Sequence, residues 1–401
     1  MAAGALMLLL NPALKHLDLR IMISHPSDRC TTELLVDIVQ PYLAHIKSLT
    51  LHEYNGTRAP IPGRIDFQSL THLHKLRISH SVNATTPMLQ ALSEFTKLRA
   101  LSLDFALSID ERLALSDMNL VSGFPALREL KLTAKLEDAS AFLQATKLPH
   151  LESLTVTRQC NFANVAHTDF NDALYALYAL IPHAIHGLHL RFVEYDEYYP
   201  EDTSAIHFAC GELLPDAVRA LPDLRALTVS FENLACSVSD ADLLALRPAW
   251  PALARFEFTA AFRNRTTVYS AAHGLALPTF DALVAFAHAR PGLTRLALPA
   301  LAAGGLPPDV HGREGRALLS ALPRHGLRLL GFCDVVPRTP IVTLALALDR
   351  AFPALDLGHL SVAGRAPVGA ARRPEMLMTL LLTLQTARRC GTLAGVIPAS
   401  A

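Results

Sequence analysis

The stretch that decides the fold is Pro125-Ala126-Leu127-Arg128-Glu129-Leu130-Lys131-Leu132. Leu130 and Leu132 alternate with Lys131, the period-two pattern of a strand with one buried face. Leu127 stands three residues before Leu130 and enters the same core from the turn before the strand. Pro125 fits just outside the strand, where no ladder donor is needed. A strand this short cannot bury its apolar face alone. It needs similar strands stacked beside it, which is the logic of a solenoid.

The Leu-x-x-Leu-x-Leu cassette recurs along the chain. Copies read Leu14/Leu17/Leu19, Ile46/Leu49/Leu51, Leu73/Leu76/Ile78, Leu98/Leu101/Leu103, Leu127/Leu130/Leu132 and Leu151/Leu154/Val156. They continue at Ile185/Leu188/Leu190, Leu224/Leu227/Val229, Leu253/Phe256/Phe258, Leu293/Leu296/Leu298, Leu327/Leu330/Phe332 and Leu357/Leu360/Val362. Proline stands two residues before several of them, at Pro125, Pro149, Pro222, Pro251 and Pro291. The spacing, about 24 to about 40 residues, exceeds the usual leucine-rich repeat in places, so several copies carry insertions. The expected fold is α/β: a curved leucine-rich-repeat solenoid with parallel strands on the concave face and helices on the convex face.

Between cassettes the apolar spacing turns helical. Residues 32–43 place Leu34, Leu35, Ile38, Val39 and Leu43 on one face. Thr86-Pro87 reads as a cap with proline in the first turn. Residues 137–145, 216–221, 239–246, 279–288, 316–322 and 341–352 carry the same signal, and residues 1–10 read as the helix of an incomplete first repeat. Residues 192–202 are acidic and aromatic; residues 299–316, rich in Gly, Ala and Pro, read as a flexible excursion. The expected organisation is an array of about twelve irregular units over residues 1–364. A loop, a capping helix over residues 374–390 and a tail follow, within residues 365–401.

Bulk properties narrow the function. The formal net charge is zero, which argues against nucleic-acid and membrane-surface binding. Cys30, Cys160, Cys210, Cys236, Cys333 and Cys390 form no Cys-x-x-Cys pair and suggest buried free thiols in a reducing compartment, cytoplasmic or nuclear. Sequons at Asn55, Asn83 and Asn264 matter only on a secreted chain. No phosphate loop, nucleophile elbow or His-Glu-x-x-His motif is present. His183, His186 and His189 have helical metal-site spacing, but the cassette puts His189 on a strand. No catalytic residue, metal or cofactor is expected.

The repeats do supply a lattice. Residues flanking the buried pair of each cassette face outward together. Among them Arg20, His52, Lys75, Arg77, Lys131, His189, Arg191 and Arg255 form a basic row, broken by Asp18, Asp104, Glu129 and Glu257. Such a row suits an extended acidic or phosphorylated peptide, because guanidinium offers paired donors to carboxylate or phosphate. Neutralisation of the row by its own acids, Glu129 with a neighbouring base for example, is the competing expectation.

Phe-Pro-x-Leu-Arg-x-Leu-x-Leu at Phe124 to Leu132 and Leu-Pro-x-Leu-Arg-x-Leu-x-Val at Leu221 to Val229 resemble fungal F-box/leucine-rich-repeat proteins. The resemblance implies a substrate-recognition region, joined by an F-box to Skp1 and a cullin ubiquitin ligase. No F-box is read here: few residues precede the first cassette, and residues 32–43 lack the Leu-Pro-x-Glu opening. Skp1 is therefore an expected partner only through an F-box outside this chain. A free-standing leucine-rich-repeat binding protein without a ligase link is the alternative.

Overall fold

The computed structural model describes residues 14–21, 40–53, 69–82, 86–117, 123–160, 167–194, 207–232, 235–261, 276–302, 306, 312–313, 317, 320–336, 340–356 and 372–389. The chain forms two compact units. Unit 1 holds Met1–Cys160 and Val165–His189; unit 2 holds Asn161–Asn164 and Leu190–Ala401.

In unit 1 the strands β1 (His16–Ile21), β2 (Ser48–Glu53), β3 (Lys75–Val82), β4 (Ala100–Phe105), β5 (Glu129–Thr133) and β6 (Ser153–Cys160) pair in chain order, all parallel. The division between units falls inside β7 (Gly187–Glu194). In unit 2, β9 (Ala226–Glu232), β11 (Arg255–Ala261), β12 (Arg295–Ala302) and β13 (Leu329–Val336) likewise pair in parallel and in order. The short β8 (His207–Ala209) and β10 (Ala235–Ser237) form a separate parallel pair. Helices in unit 1 are α1 (Thr86–Ser93), α2 (Ile109–Asp117), α3 (Leu136–Ala145) and α4 (His167–Ala179). Unit 2 adds α5 (Cys210–Leu213), α6 (Asp216–Arg219), α7 (Asp240–Leu246), α8 (Phe280–His288), α9 (Ile341–Ala351) and α10 (Arg372–Arg389). Each unit is thus α/β with parallel strands.

One hydrogen-bond pattern sets the register. The carbonyl just after the first apolar residue of a cassette accepts two consecutive N–H groups from the next cassette. Lys15 accepts from Lys47 and Ser48, Lys47 from His74 and Lys75, and Arg99 from Arg128 and Glu129. In unit 2 Arg225 accepts from Ala254 and Arg255, and Ala254 from Thr294 and Arg295, at 2.8 to 3.1 Å. A carbonyl has two lone pairs, so both donors are satisfied. The first apolar residue also closes a turn: Leu127 N donates to Phe124 O at 3.2 Å and Leu253 N to Trp250 O at 3.0 Å.

Leu127, Leu130 and Leu132 are all buried, as are their counterparts from Ile46 to Leu298. Helices cover this buried face. Phe105 of β4 lies 6.1 Å from Phe142 of α3, and Phe256 of β11 lies 5.3 Å from Phe286 of α8, between ring centroids.

Several expectations need correction. Pro299 to Ala302 belong to β12 and are buried, instead of opening a flexible excursion. Proline is tolerated because pairing passes from Leu298–Phe332 to Ala300–Asp334 without using it. The cassette expected at Leu357/Leu360/Val362 lies outside the described residues, and the turn before it closes at Leu355. Leu355 N donates to Phe352 O at 3.2 Å, and Asp356 N to Arg328 O at 2.6 Å. Pro353-Ala354-Leu355 repeats Pro125-Ala126-Leu127, so the proline spacing marks this turn. The helix expected over 216–221 stops at Arg219. Helices α2 and α4 went unread, although Ser108-x-x-Glu111 is a capping box: Ser108 N donates to Glu111 Oε2 at 2.8 Å and Glu111 N to Ser108 Oγ at 3.2 Å. Residues 1–10, 32–39, 195–202, 357–371 and 390–401, and Asn55, Asn83 and Asn264, lie outside the described residues.

The residue three before each cassette is usually apolar and buried: Leu43, Leu70, Phe95, Phe124, Trp250 and Phe352. Phe124 and Trp250 hold positive φ, 57° and 53°, a costly backbone for bulky side chains that the buried turn enforces. Arg290 takes this position before Leu293 and is fully buried. Its Nη1 donates to Phe286 O at 3.1 Å; its Nη2 donates to Ala249 O at 3.0 Å and to Leu246 O. These carbonyls lie at or just beyond the C-terminal ends of α7 and α8, where a cation is favoured. Burial, then Arg247, pulls the Arg290 pKa down to about 10, so it remains charged at neutral pH.

His325 completes this cluster. Its Nδ1 accepts from Leu327 N at 3.0 Å, which leaves Nε2–H to donate to Arg290 O at 3.0 Å. Burial lowers the His325 pKa, the bond to the Arg290 carbonyl opposes that, and His288 lowers it further. Its ring meets His288 edge-on at 5.4 Å.

Two predictions follow from the core. Leu130→Ala or Leu154→Ala is expected to cost roughly 2–5 kcal/mol in a denaturant titration. A change under about 0.5 kcal/mol contradicts the assigned register. For His325 the folded state prefers the neutral ring, so the unfolded chain binds more protons below about pH 6.5. Stability is therefore expected to fall as pH drops from about 6.5 toward the lowered pKa, and more steeply in wild type than in His325→Gln. Parallel pH profiles for the two proteins would refute this.

Candidate interaction surface

The ladders place the flanking residues in columns. In unit 1 one column runs Ser48, Lys75, Ala100, Glu129, Ser153, and the next Thr50, Arg77, Ser102, Lys131, Thr155. In unit 2 the corresponding columns are Ala226, Arg255, Arg295, Leu329 and Thr228, Glu257, Ala297, Gly331. The columns are those expected from the cassettes; the charge pattern on them differs between units.

Lys75, Arg77 and Lys131 are exposed. Arg77 and Lys131 flank Ser102, so their backbones stand two strand spacings apart, roughly 10 Å. Between β3 and β5 on this face lie the short side chains of Ala100 and Ser102, and further along β4 Asp104, which faces Thr133 of β5. Neither Lys75 nor Arg77 makes an ion pair among the described residues. Glu129, the acid expected to neutralise a neighbour, faces Ala100 and Ser153 across the ladder and makes no ion pair among the described residues. Three of the expected bases therefore form one exposed positive patch.

His52, His189, Arg191 and Arg255 do not join it as isolated bases. His52 is only 12% exposed; its Nδ1 contacts Ser79 Oγ, and its Nε2 is 3.9 Å from Asp18 Oδ1. Arg20 pairs with His52 in register, and its side chain lies outside the described residues. His189 is half-buried, its Nε2 3.5 Å from where a Cβ on Gly187 would stand, so the ring lies back along its own strand. Arg191 donates through Nε to Glu232 Oε1 at 2.8 Å. Arg255 Nη2 donates to Glu257 Oε2 at 2.6 Å. Arg191 and Arg255 thus each meet an acid on the same face, so neither stands as an isolated base.

Glu257 is the residue whose role was underread, and Arg295 was missed. The carboxylate is 7% exposed and lies between Arg255 and Arg295, contacting Arg295 Nε through Oε1. Thr228 Oγ1 donates to Glu257 Oε2 at 3.2 Å. The signal was present: Ala254-Arg255-Phe256 and Thr294-Arg295-Leu296 occupy the same cassette position.

Ser79, His52 and Asp18 have the residue types of a nucleophile, base and orienting acid. They sit on one face of the parallel strands β1, β2 and β3. Ser79 Oγ also approaches Leu51 O at 3.4 Å. The arrangement is a cross-strand polar chain. No group of three or more His, Cys, Asp or Glu suited to a metal occurs among the described residues, and none of their helices is long and apolar enough to cross a membrane.

No protein-family model matches the chain, and no curated protein matches it.

The Glu257 cluster makes a direct prediction. Glu257→Gln leaves Arg255 and Arg295 opposed at strand spacing and is expected to cost about 1–2 kcal/mol. A double-mutant cycle with Arg295→Gln is expected to show coupling above about 0.5 kcal/mol. Additivity in chemical denaturation would show that the glutamate does not hold the pair.

Proposed function

We propose that this chain is a non-catalytic protein-interaction scaffold that docks an extended acidic or phosphorylated peptide on its strand face. Within each unit the fold reading is a leucine-rich-repeat solenoid, strands on the concave face and helices on the convex face. In-register cassettes, and the two-donor carbonyl recurring at most of their strand entries, support that reading. The observation that carries the function is the exposed patch of Lys75, Arg77 and Lys131 around Ala100 and Ser102. Lys75 and Arg77, which make no ion pair among the described residues, lose hydration on binding an anionic peptide but sacrifice no internal ion pair. The role is similar to that of the substrate-recognition region of an F-box ubiquitin-ligase receptor, working in the cytoplasm or nucleus.

Affinity purification identifies the partner, and a Skp1 pull-down separates a ligase receptor from a free-standing module. With the partner in hand, Arg77→Glu together with Lys131→Glu is expected to weaken binding roughly a hundredfold or more. Reversal at Glu137, exposed on α3, is expected to change it less than about threefold. Loss of affinity confined to the Glu137 variant would place the partner on the helical side and end the proposal.

A further inference from the structure

Unit 2 carries a second and different basic site. Arg255 and Arg295 are direct neighbours across β11 and β12, so their guanidinium groups repel one another. Glu257 holds them together from below. Its carboxylate is 7% exposed, while the Arg255 and Arg295 side chains are 38% and 43% exposed. The buried anion therefore orients two half-exposed cations. Thr228 completes the support by donating to the same carboxylate at 3.2 Å.

The charge balance of this cluster is incomplete. One carboxylate neutralises one guanidinium, and a single positive charge remains, directed to the surface. Each guanidinium has five donors. Arg255 gives Nη2 to Glu257, and Arg295 contacts it through Nε, and the Arg295 terminal nitrogens make no hydrogen bond among the described residues. Arg255 Nε is buried without a hydrogen-bond partner, so Glu257 does not fully satisfy that group either. Beside the pair, Ala226 and Ala297 are too short to cover it.

We propose that Arg255 and Arg295, preorganised by Glu257, bind one oxyanion group, a phosphomonoester or a carboxylate, carried on a peptide side chain. An oxyanion bridging the two guanidiniums relieves their repulsion and uses their free donors. Because Glu257 already fixes both side chains, little rotamer freedom is lost on binding. The site is independent of the Lys75, Arg77 and Lys131 patch and takes a single anion instead of a row.

The test is isothermal titration of the full chain with N-acetyl-O-phosphoserine and, separately, N-acetylaspartate, at matched ionic strength. Saturable binding of one equivalent of either probe is expected, and the stronger probe identifies the natural group. Arg255→Gln and Arg295→Gln are each expected to weaken it roughly tenfold. Arg295→Lys, which keeps the charge and the fold but loses the fork, is expected to weaken phosphate more than carboxylate. Arg77→Gln with Lys131→Gln is expected to leave both titrations unchanged. The proposal is overturned by absence of saturation in wild type, by full binding in a folded Arg255→Gln/Arg295→Gln protein, or by equal weakening in the unit 1 variant. Failure of peptide docking at Lys75, Arg77 and Lys131 leaves these titrations unaffected, so the two proposals fall separately.

Discussion

The structure depends on one carbonyl that accepts two donors. At the entry to most of the long strands, residues such as Lys15, Lys47, Arg128 and Ala254 take consecutive N–H groups from the following cassette. Satisfying both donors at one oxygen leaves no register freedom. A one-residue slip would leave buried N–H groups unpaired and turn each Leu-x-Leu face outward. The columns of surface residues follow from this constraint.

Polar groups in the core are held by local partners, although single atoms such as Arg290 Nε, Asp138 Oδ1 and Asp349 Oδ1 keep no hydrogen bond. Arg290 occupies a site filled elsewhere by Phe124, Trp250 or Phe352. Its guanidinium succeeds there because three carbonyls near two helix ends need donors and the Phe286 ring supplies a face 4.0 Å away. Asp349 follows the same rule. It is buried on α9 and bonds Arg388 of α10, while Gln385 donates to Leu355 O at 2.9 Å. Burial raises the Asp349 pKa, and Arg388 works against that rise. Asp138 is fully buried, accepts from Leu107 N at 3.2 Å and lies 3.3 Å from Arg112 Nε, tying α3 to α2.

Surface charge divides into two chemistries. In unit 1, β4 contributes Ala100 and Ser102 between the bases of β3 and β5, so those bases stay exposed. In unit 2, Glu257 lies diagonally between arginines on adjoining strands and gathers them. In the column that holds Ser102 between Arg77 and Lys131, unit 2 has Glu257 between Thr228 and Ala297. A small residue separates cations, and a buried acid clusters them.

By itself the sequence determined the strand-forming cassettes, their buried leucines and the residues that share a column. Those properties are periodic and local, and period-two alternation reports them directly. It also contained Pro353-Ala354-Leu355, the signal of a turn, and the Ser108-x-x-Glu111 box, a signal that outweighs the poor apolar face of α2. That helix exposes Ile109 and Leu113 and buries Leu115, so periodicity alone does not find it. Helix α4 was legible in Phe170, Leu174, Leu177 and Tyr178, all buried at helical spacing. Tertiary structure alone decided that His52 turns toward Asp18 and Ser79, that Arg191 meets Glu232, and that Arg255 and Arg295 share Glu257. The partners in these contacts are mostly some 30 to 40 residues apart in the chain, and strand pairing with side-chain rotamers brings their polar atoms within bonding distance. A column of residue types states which charges are neighbours; only the three-dimensional fit states which of them cancel.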